Sequence, residues 1–368
     1  MSIDFSVERP IVAVTGSAGK TTTKSFIASI LRTRWIIFES SDYWNRTDHT
    51  EKHQSEINFI HRAIVLEYGM AYKGVIEKHC RIIQPNIAAI TNIGTAHIGN
   101  FDDGIKGIAA AKSELIKGLD PDGHLFINGD DKNSKLLHTK NFTGELKKVS
   151  IHTPSDYQAK NVKVNWEGIT FDLKLQGKSH SFSIPYHGEF HVYNALLAIA
   201  VADLLGFTAD EIKQGLNEVR KPRHRLDIVK LKKNITLIDD TVHAFPDAMK
   251  GALDVLSSLD GKKKVAVLGS MAGFADQHEI VHKDMGNYVA DKKVDYLFTY
   301  GNLSKNIGVG AIEAGMDAQR VFHFNRSDMK ELNKALLKMI QPDWTILIKG
   351  ASGLGMVETV DFLKEKLG

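Results

Sequence analysis

Residues 11–22 read IVAVTGSAGKTT, and the fold of the chain is decided by how this stretch is parsed. Ile11–Thr15 is an uncharged run rich in β-branched residues, the mark of a strand buried on both faces. Gly16, Ser17, Ala18 and Gly19 then turn the chain, and a helix is read from about Thr21 to Leu31. Such a turn lets backbone N–H groups point inward around phosphate oxygens, and the helix N-terminus behind it favours negative charge. Lys20 supplies a point charge, and the Thr21 or Thr22 hydroxyl is of the kind that ligates Mg²⁺. The general phosphate loop has four residues between its glycines; this one has two, so it is a shortened variant. Strand before and helix after make nucleotide binding the expectation, while the loop alone does not name a reaction.

Outward from the loop, Ala63–Leu66 (AIVL), Ile87–Thr91 (IAAIT) and Leu125–Asn128 (LFIN) read as further buried strands. Between 162 and 186 polar and apolar residues alternate, with turn signals at 166–168 and 176–178. That pattern predicts antiparallel hairpins forming a small side sheet. A helix follows over Val192–Leu205. Residues 221–225 (KPRHR) read as a linker, after which a second series begins. Its strands are Thr236–Asp239, Lys264–Leu268, Tyr296–Tyr300 and Thr345–Lys349, with helices at Asp247–Leu256, Ile280–Val289 and Ser327–Met339. The expected class is α/β: a P-loop NTPase-like parallel sheet with a small antiparallel side sheet (1–221), then a Rossmann-like α/β domain (222–368).

Composition narrows the function. Lys and Arg total 47 against 44 Asp and Glu, a net +3, so no basic excess points to nucleic acid. The single cysteine, Cys80, excludes a disulfide framework and multi-cysteine metal sites, and reads as a small buried hydrophobe. No apolar run reaches the ~18 residues of a membrane span. The opening MSIDFSVERP lacks a signal-peptide apolar stretch, and a cytoplasmic location is expected.

The shortened loop resembles that of the Mur ligase family, which joins amino acids or peptides to a carboxylate using ATP. Further segments are similar and in the right order: LEYGM (66–70), TNIGTAH (91–97), AAKSE (110–114), the helix around Asn194, HRL (224–226) and DDTVHAFPD (239–247). The resemblance implies ATP and Mg²⁺ as cofactors, with Thr21 and Glu67 as metal ligands and His97 as ligand of a second metal. It implies that CO₂ converts Lys112 into a carbamate supporting magnesium. It gives Asn194 the adenine, Asp240 the ribose and Arg225 the γ-phosphate, and it sets Lys349 facing an acyl phosphate and His243 near the substrate. From the residues alone other readings stay open. Glu67 is otherwise a salt-bridged rim carboxylate, His97 a structural histidine, and Lys112 a surface charge. Asn194 is otherwise a cap or buried polar group, Arg225 an interdomain ion pair, Asp240 a polar strand end, and Lys349 a helix cap.

The sequence also departs from the family. Only 15 residues precede Gly16, where relatives carry a domain holding the UDP part of their substrate, so UDP-sugar binding in the usual way is not expected. The 40–61 stretch has Trp44, His49, His53 and His61 in place of an Asn- and Gly-rich loop, and reads as a polar substrate wall or surface loop rather than a metal site. Phe190 and His191 stand where relatives have His-Asn, and KGASGLG (349–355) stands where they have Lys-Gly-Ser-Arg. The function expected is an ATP-dependent, ADP-forming carboxylate–amine ligase working through an acyl phosphate, on a substrate other than the usual UDP-muramyl peptide. Its partners are a small-molecule or peptide carboxylate and an amine, with no nucleic acid and no membrane span. The alternative is a nucleotide-binding regulatory ATPase or subunit that depends on a protein partner.

Overall fold

The structure, a computed structural model, describes residues 9–368 except 42–43, 166, 221–222, 272–273 and 275–276. The expected turn residue Trp166 and the linker residues Lys221 and Pro222 therefore lie outside the described residues. The chain divides into two compact units, Met1–Pro222 and Arg223–Gly368.

In the first unit β1 (Ile11–Thr15), α1 (Lys20–Arg32), β2 (Ile37–Glu39), α2 (Thr47–Glu56), β3 (Ala63–Glu67), α3 (Val75–Ile82) and β4 (Ile87–Ile90) alternate strand and helix. Then come α4 (Ile105–Lys112), α5 (Glu114–Gly118), β5 (His124–Asn128), β6 (Glu145–Ser150), β7 (Tyr157–Asn165), β8 (Gly168–Leu175), β9 (Lys178–Ile184), α6 (Phe190–Leu204) and α7 (Ala209–Asn217). The sheet order is β2-β3-β1-β4-β5-β6-β7-β8-β9. Strands β2 to β6 pair in parallel. The antiparallel hairpins expected from the alternation over 162–186 are β7, β8 and β9. They continue the parallel sheet through two pairs, Val149↔Tyr157 and Ser150↔Gln158.

Strand β1 shows why its sequence is apolar without a break. Val12 and Val14 enter the core on one face, with Phe26, Ile27, Ile30 and Leu31 of α1, while Ala13 enters the core on the other. Helix α6 is buried along most of its length and packs on α1 as well as on β5, β6, β7 and β8, so it carries no polar stripe. Helix α7 begins at a capping box: Glu211 N–H donates to Thr208 Oγ1, and Thr208 N–H donates to Glu211 Oε2 at 2.8 Å.

The 40–61 stretch is not the loop expected from sequence. It holds α2, and His53 is 2% exposed, tilted against Phe38 and stacked at 6.1 Å on Trp44. Of the helix only Thr50 and His53 are buried; its other residues are polar and half-buried or exposed.

The second unit contains β10 (Asp227–Lys230), β11 (Thr236–Asp240), α8 (Pro246–Ser258), β12 (Lys263–Gly269), α9 (His278–Asp291), β13 (Tyr296–Tyr300) and α10 (Lys305–Glu313). It ends with β14 (Val321–Phe324), α11 (Met329–Met339), β15 (Trp344–Lys349) and α12 (Val357–Leu367). Its sheet runs β10-β11-β15-β12-β13-β14, parallel except for β10. Among the described residues no helix is long and apolar enough to cross a membrane.

Candidate active site

The loop between β1 and α1 is shaped by close approach. Gly16 has φ +150° and Gly19 has φ +80°. An ideal Cβ on Gly16 would lie 1.8 Å from Thr91 Oγ1, so that position has no room for a side chain. The segment after β4 braces the loop: Ser17 N–H donates to the Asn92 carbonyl at 3.1 Å, Ala18 N–H to Asn92 Oδ1 at 3.0 Å, and Ser17 Oγ to the Gly94 carbonyl at 3.0 Å. Two segments flagged separately in the sequence are thus one construction. Lys20 Nζ donates to the Gly16 carbonyl at 3.0 Å.

Thr21 sits in the first turn of α1 and Glu67 at the end of β3, both nearly fully buried. Thr21 Oγ1 donates to Glu67 Oε2 at 2.8 Å, and Asn45 Nδ2 donates to Glu67 Oε1 at 2.8 Å. The rim salt bridge considered for Glu67 is not what holds it; neutral donors occupy its two oxygens. Asn45 went unnoticed in the sequence, since one asparagine in a polar stretch carries no signal. A hydroxyl, a carboxylate and a carboxamide are hard oxygen donors and suit Mg²⁺. Among the described residues no three His, Cys, Asp or Glu side chains gather as a cation site by themselves. A magnesium ion on Thr21 and Glu67 would therefore complete its shell with phosphate oxygens and water, as this ion ordinarily does.

Lys112 ends α4 and is 2% exposed, so it is not the surface charge it resembles in sequence. Burial, and secondarily the charge of Lys20, holds its ammonium well below the usual lysine range. His97 takes a left-handed backbone, φ +65°. Its pKa is lowered first by desolvation, then by Lys20 and Lys112. By surface area the residue is exposed, which discounts the desolvation, and both lysines push in the same direction. Lys20, His97 and Lys112 thus form one electrostatically coupled group.

Asn194 lies on α6, 4% exposed. Its Oδ1 accepts from Thr23 Oγ1 at 3.2 Å, and its Nδ2 lies 3.2 Å from His191 Nδ1. It touches the phosphate loop and does not cap a helix.

In the second unit the residues flagged in the sequence bond to one another. Asp240 and Lys349 are register partners on β11 and β15. Lys349 Nζ donates to Asp240 Oδ2 at 2.6 Å and to the His243 carbonyl at 2.8 Å, which makes it a buried strut rather than a helix cap. An Arg225 Nη2 lies 2.8 Å from His243 Nε2. His224, which the sequence showed only as part of a motif, places Nδ1 2.7 Å from Asp239 Oδ2.

The chain was compared with known families, proteins and structures. The Mur ligase middle domain matches residues 14–202, and the Mur ligase glutamate ligase domain matches residues 224–352. The UDP-N-acetylmuramoyl-tripeptide–D-alanyl-D-alanine ligase of Bacillus subtilis is 34% identical over 96% of this chain and 76% of its own length. A crystal structure of MurF from Acinetobacter baumannii superposes with a TM-score of 0.87 at 27% identity, over 97% of this chain and 76% of that one. The MurF ligase of Thermotoga maritima in complex with ADP shares the fold, with a TM-score of 0.84 at 19% identity over 98% and 80% of the two chains. The chain belongs to the Mur ligase family of ATP-dependent ligases.

Proposed function

We propose that the chain is an ADP-forming ligase that activates a carboxylate as an acyl phosphate and joins it to an amine, in the cytoplasm. The observation that carries this reading is the buried Thr21–Glu67 pair, in one unit with the buried, desolvated Lys112. Phosphoryl transfer to a carboxylate brings two anions together, and positioned positive charge lowers that repulsion. Lys20 and the N–H groups at the N-terminus of α1 hold the phosphates, with Ser17 and Ala18 braced on Asn92 behind them, and Thr21 and Glu67 hold Mg²⁺, which neutralises charge on the phosphates when bound. His97 is proposed as ligand of a second metal ion. Burial weakens the hold of Lys112 on its proton, and its unprotonated amine is proposed to add to CO₂: the N–C bond forms as one C=O π pair moves to oxygen, a nitrogen proton passes to solvent, and a carbamate anion is left among cations. Asn194 is proposed for the base of ATP, Asp240 for the ribose, Arg225 for the γ-phosphate, and His243 and Lys349 for the substrate.

For the acyl substrate we propose a carboxylate other than a UDP-muramyl peptide. Two segments support this: 40–61, built on α2 with Trp44 and His53, and 349–355, which is glycine-rich and carries no arginine. Hydroxylamine trapping tests both levels. The enzyme is given Mg-ATP and hydroxylamine with either UDP-N-acetylmuramoyl-tripeptide or fractionated cytoplasmic metabolites, and products are read by mass. A hydroxamate with ADP and phosphate in the metabolite arm is expected. A hydroxamate only from the UDP-linked peptide overturns the substrate reading. None in either arm, with ATP bound and slowly hydrolysed, favours the partner-dependent regulatory ATPase.

A further inference from the structure

His224 stands just before β10, and its Nδ1 is 2.7 Å from Oδ2 of Asp239, a carboxylate with no exposed surface. Thr241 Oγ1 donates to the other oxygen of Asp239 at 2.8 Å, so that carboxylate is fully oriented. A carboxylate accepts, so Nδ1 carries the hydrogen, and in the neutral ring the lone pair then lies on Nε2. Nε2 makes no hydrogen bond among the described residues, and the side chain is 35% exposed. The backbone is held in place as well: His224 has φ +60°, in the left-handed region, and its N–H donates to Asp227 Oδ2 at 3.0 Å. An imidazole fixed by a buried carboxylate on one nitrogen, with the other open, has the geometry of a general base. The position suits that use. Asp239 is near the carboxyl end of β11, beside the β15 end that carries Lys349, and open α/β sheets bind ligands at the carboxyl ends of their strands.

We propose that His224 is the base that deprotonates the incoming amine, an inference that rests on the ligase reading above. At neutral pH the amine arrives as an ammonium with no free pair. His224 Nε2 takes one proton, and the nitrogen pair then bonds to the acyl carbon. The C–O bond to phosphate breaks, its electron pair leaving with inorganic phosphate. The second nitrogen proton passes to phosphate or solvent, and the imidazolium returns its own to solvent. Asp239 acts through His224 and is a positioning residue.

Hydroxylamine separates this step from activation, because it is largely unprotonated near neutrality and attacks without help. The test compares wild type with His224→Asn, chosen because asparagine tolerates φ +60°. Each enzyme is given Mg-ATP, the metabolite fraction and either hydroxylamine or a pool of both enantiomers of the amino acids together with D-alanyl-D-alanine. The expected result is hydroxamate formation within about twofold of wild type and amide formation lower by about 100-fold or more, the usual scale of a general base. Retained hydroxamate formation also reports that the variant is folded. Equal loss of both products, or unchanged amide formation, overturns the proposal, as does a wild type that makes hydroxamate but no amide from the pool. A wild type that makes no hydroxamate either from the metabolite fraction or from added UDP-N-acetylmuramoyl-tripeptide fails the ligase reading itself.

Discussion

Gly19 and Asn194 meet across a gap that admits no methyl group: an ideal Cβ on Gly19 would lie 2.4 Å from Asn194 Oδ1. The carboxamide of α6 therefore rests against the backbone of the phosphate loop, and Asn194 gauges the loop's shape whatever it does toward a nucleotide. Gly19→Ala adds the clash to a left-handed φ of +80°. The expected outcome is a loss of about 1–3 kcal/mol in stability and a larger loss of ADP affinity. Asn194→Ala in the same chain should relieve the clash but not the backbone strain. Thermal melts with and without Mg-ADP check this, and a Gly19→Ala protein that binds ADP normally would refute it.

Lys20→Ala should leave the fold intact, since the side chain is only part-buried. Turnover should fall by at least about 100–1000-fold, the scale for removing one donor aimed at developing charge. ADP release measured on a variant with a wild-type melting curve is the check.

How much of this was legible in the sequence depends on range. The strand–loop–helix at 11–32 is written locally, and so are the buried strands, whose apolar runs serve two cores at once. Short edge strands such as β2 and β14 went unread although Trp35–Phe38 and Val321-Phe322 are apolar, because three or four half-buried residues are too few to separate a strand from a loop. Helix α2 was hidden by polar composition, since its contribution to the core comes through Thr50 and His53. The capping box of α7 was readable from Thr208 and Glu211 and was missed. Pairings such as Lys349 with Asp240, or Asn45 with Glu67, exist only once strands are in register, and no spacing in the chain encodes them.

Lys112 sets function against stability. A lysine that binds its proton less tightly in the folded than in the unfolded chain opposes folding at neutral pH, so Lys112→Met should raise stability by about 1–2 kcal/mol while abolishing turnover. Denaturant midpoints and ADP release on the same sample decide the point. CO₂-free buffer should also lower wild-type turnover, with bicarbonate restoring it.

The Asp240–Lys349 pair is buried, so removing one charge should cost about 3–5 kcal/mol, whereas replacing both by apolar residues should cost much less. A double-mutant cycle of Lys349→Met and Asp240→Leu, read by urea unfolding, measures the coupling. If Lys349→Met keeps its stability, the strut described here is wrong.

His79 makes stability depend on pH. Desolvation holds its pKa down to about 4, while its ring lies 2.7 Å from Thr50 Oγ1 and 3.2 Å from the Gly69 carbonyl. The unfolded chain titrates this group near 6.5, so between about pH 4 and 6.5 it holds a proton that the folded chain lacks. Stability is then full above 6.5 and falls as pH drops toward 4, with a slope of up to about 1.4 kcal/mol per pH unit for this group. Asp130 and Glu211, held down to about 2, titrate below that window when folded. Urea midpoints from pH 4.5 to 7 should slope in wild type and slope less in His79→Leu, since burial also lowers the pKa of His53, His97, His282 and His323 and these supply the remainder; parallel curves would exclude His79 as a source.

Helix α6 joins the parallel and antiparallel parts of the first unit and supplies Asn194 to a loop that lies near the other end of that unit's sequence. During vectorial synthesis, Phe26, Ile27, Ile30 and Leu31 leave the ribosome long before the helix that covers them. The nascent chain must carry that apolar face uncovered until α6 has emerged, so the nucleotide site closes near the end of the unit's synthesis and any stall before residue 204 leaves a species prone to association.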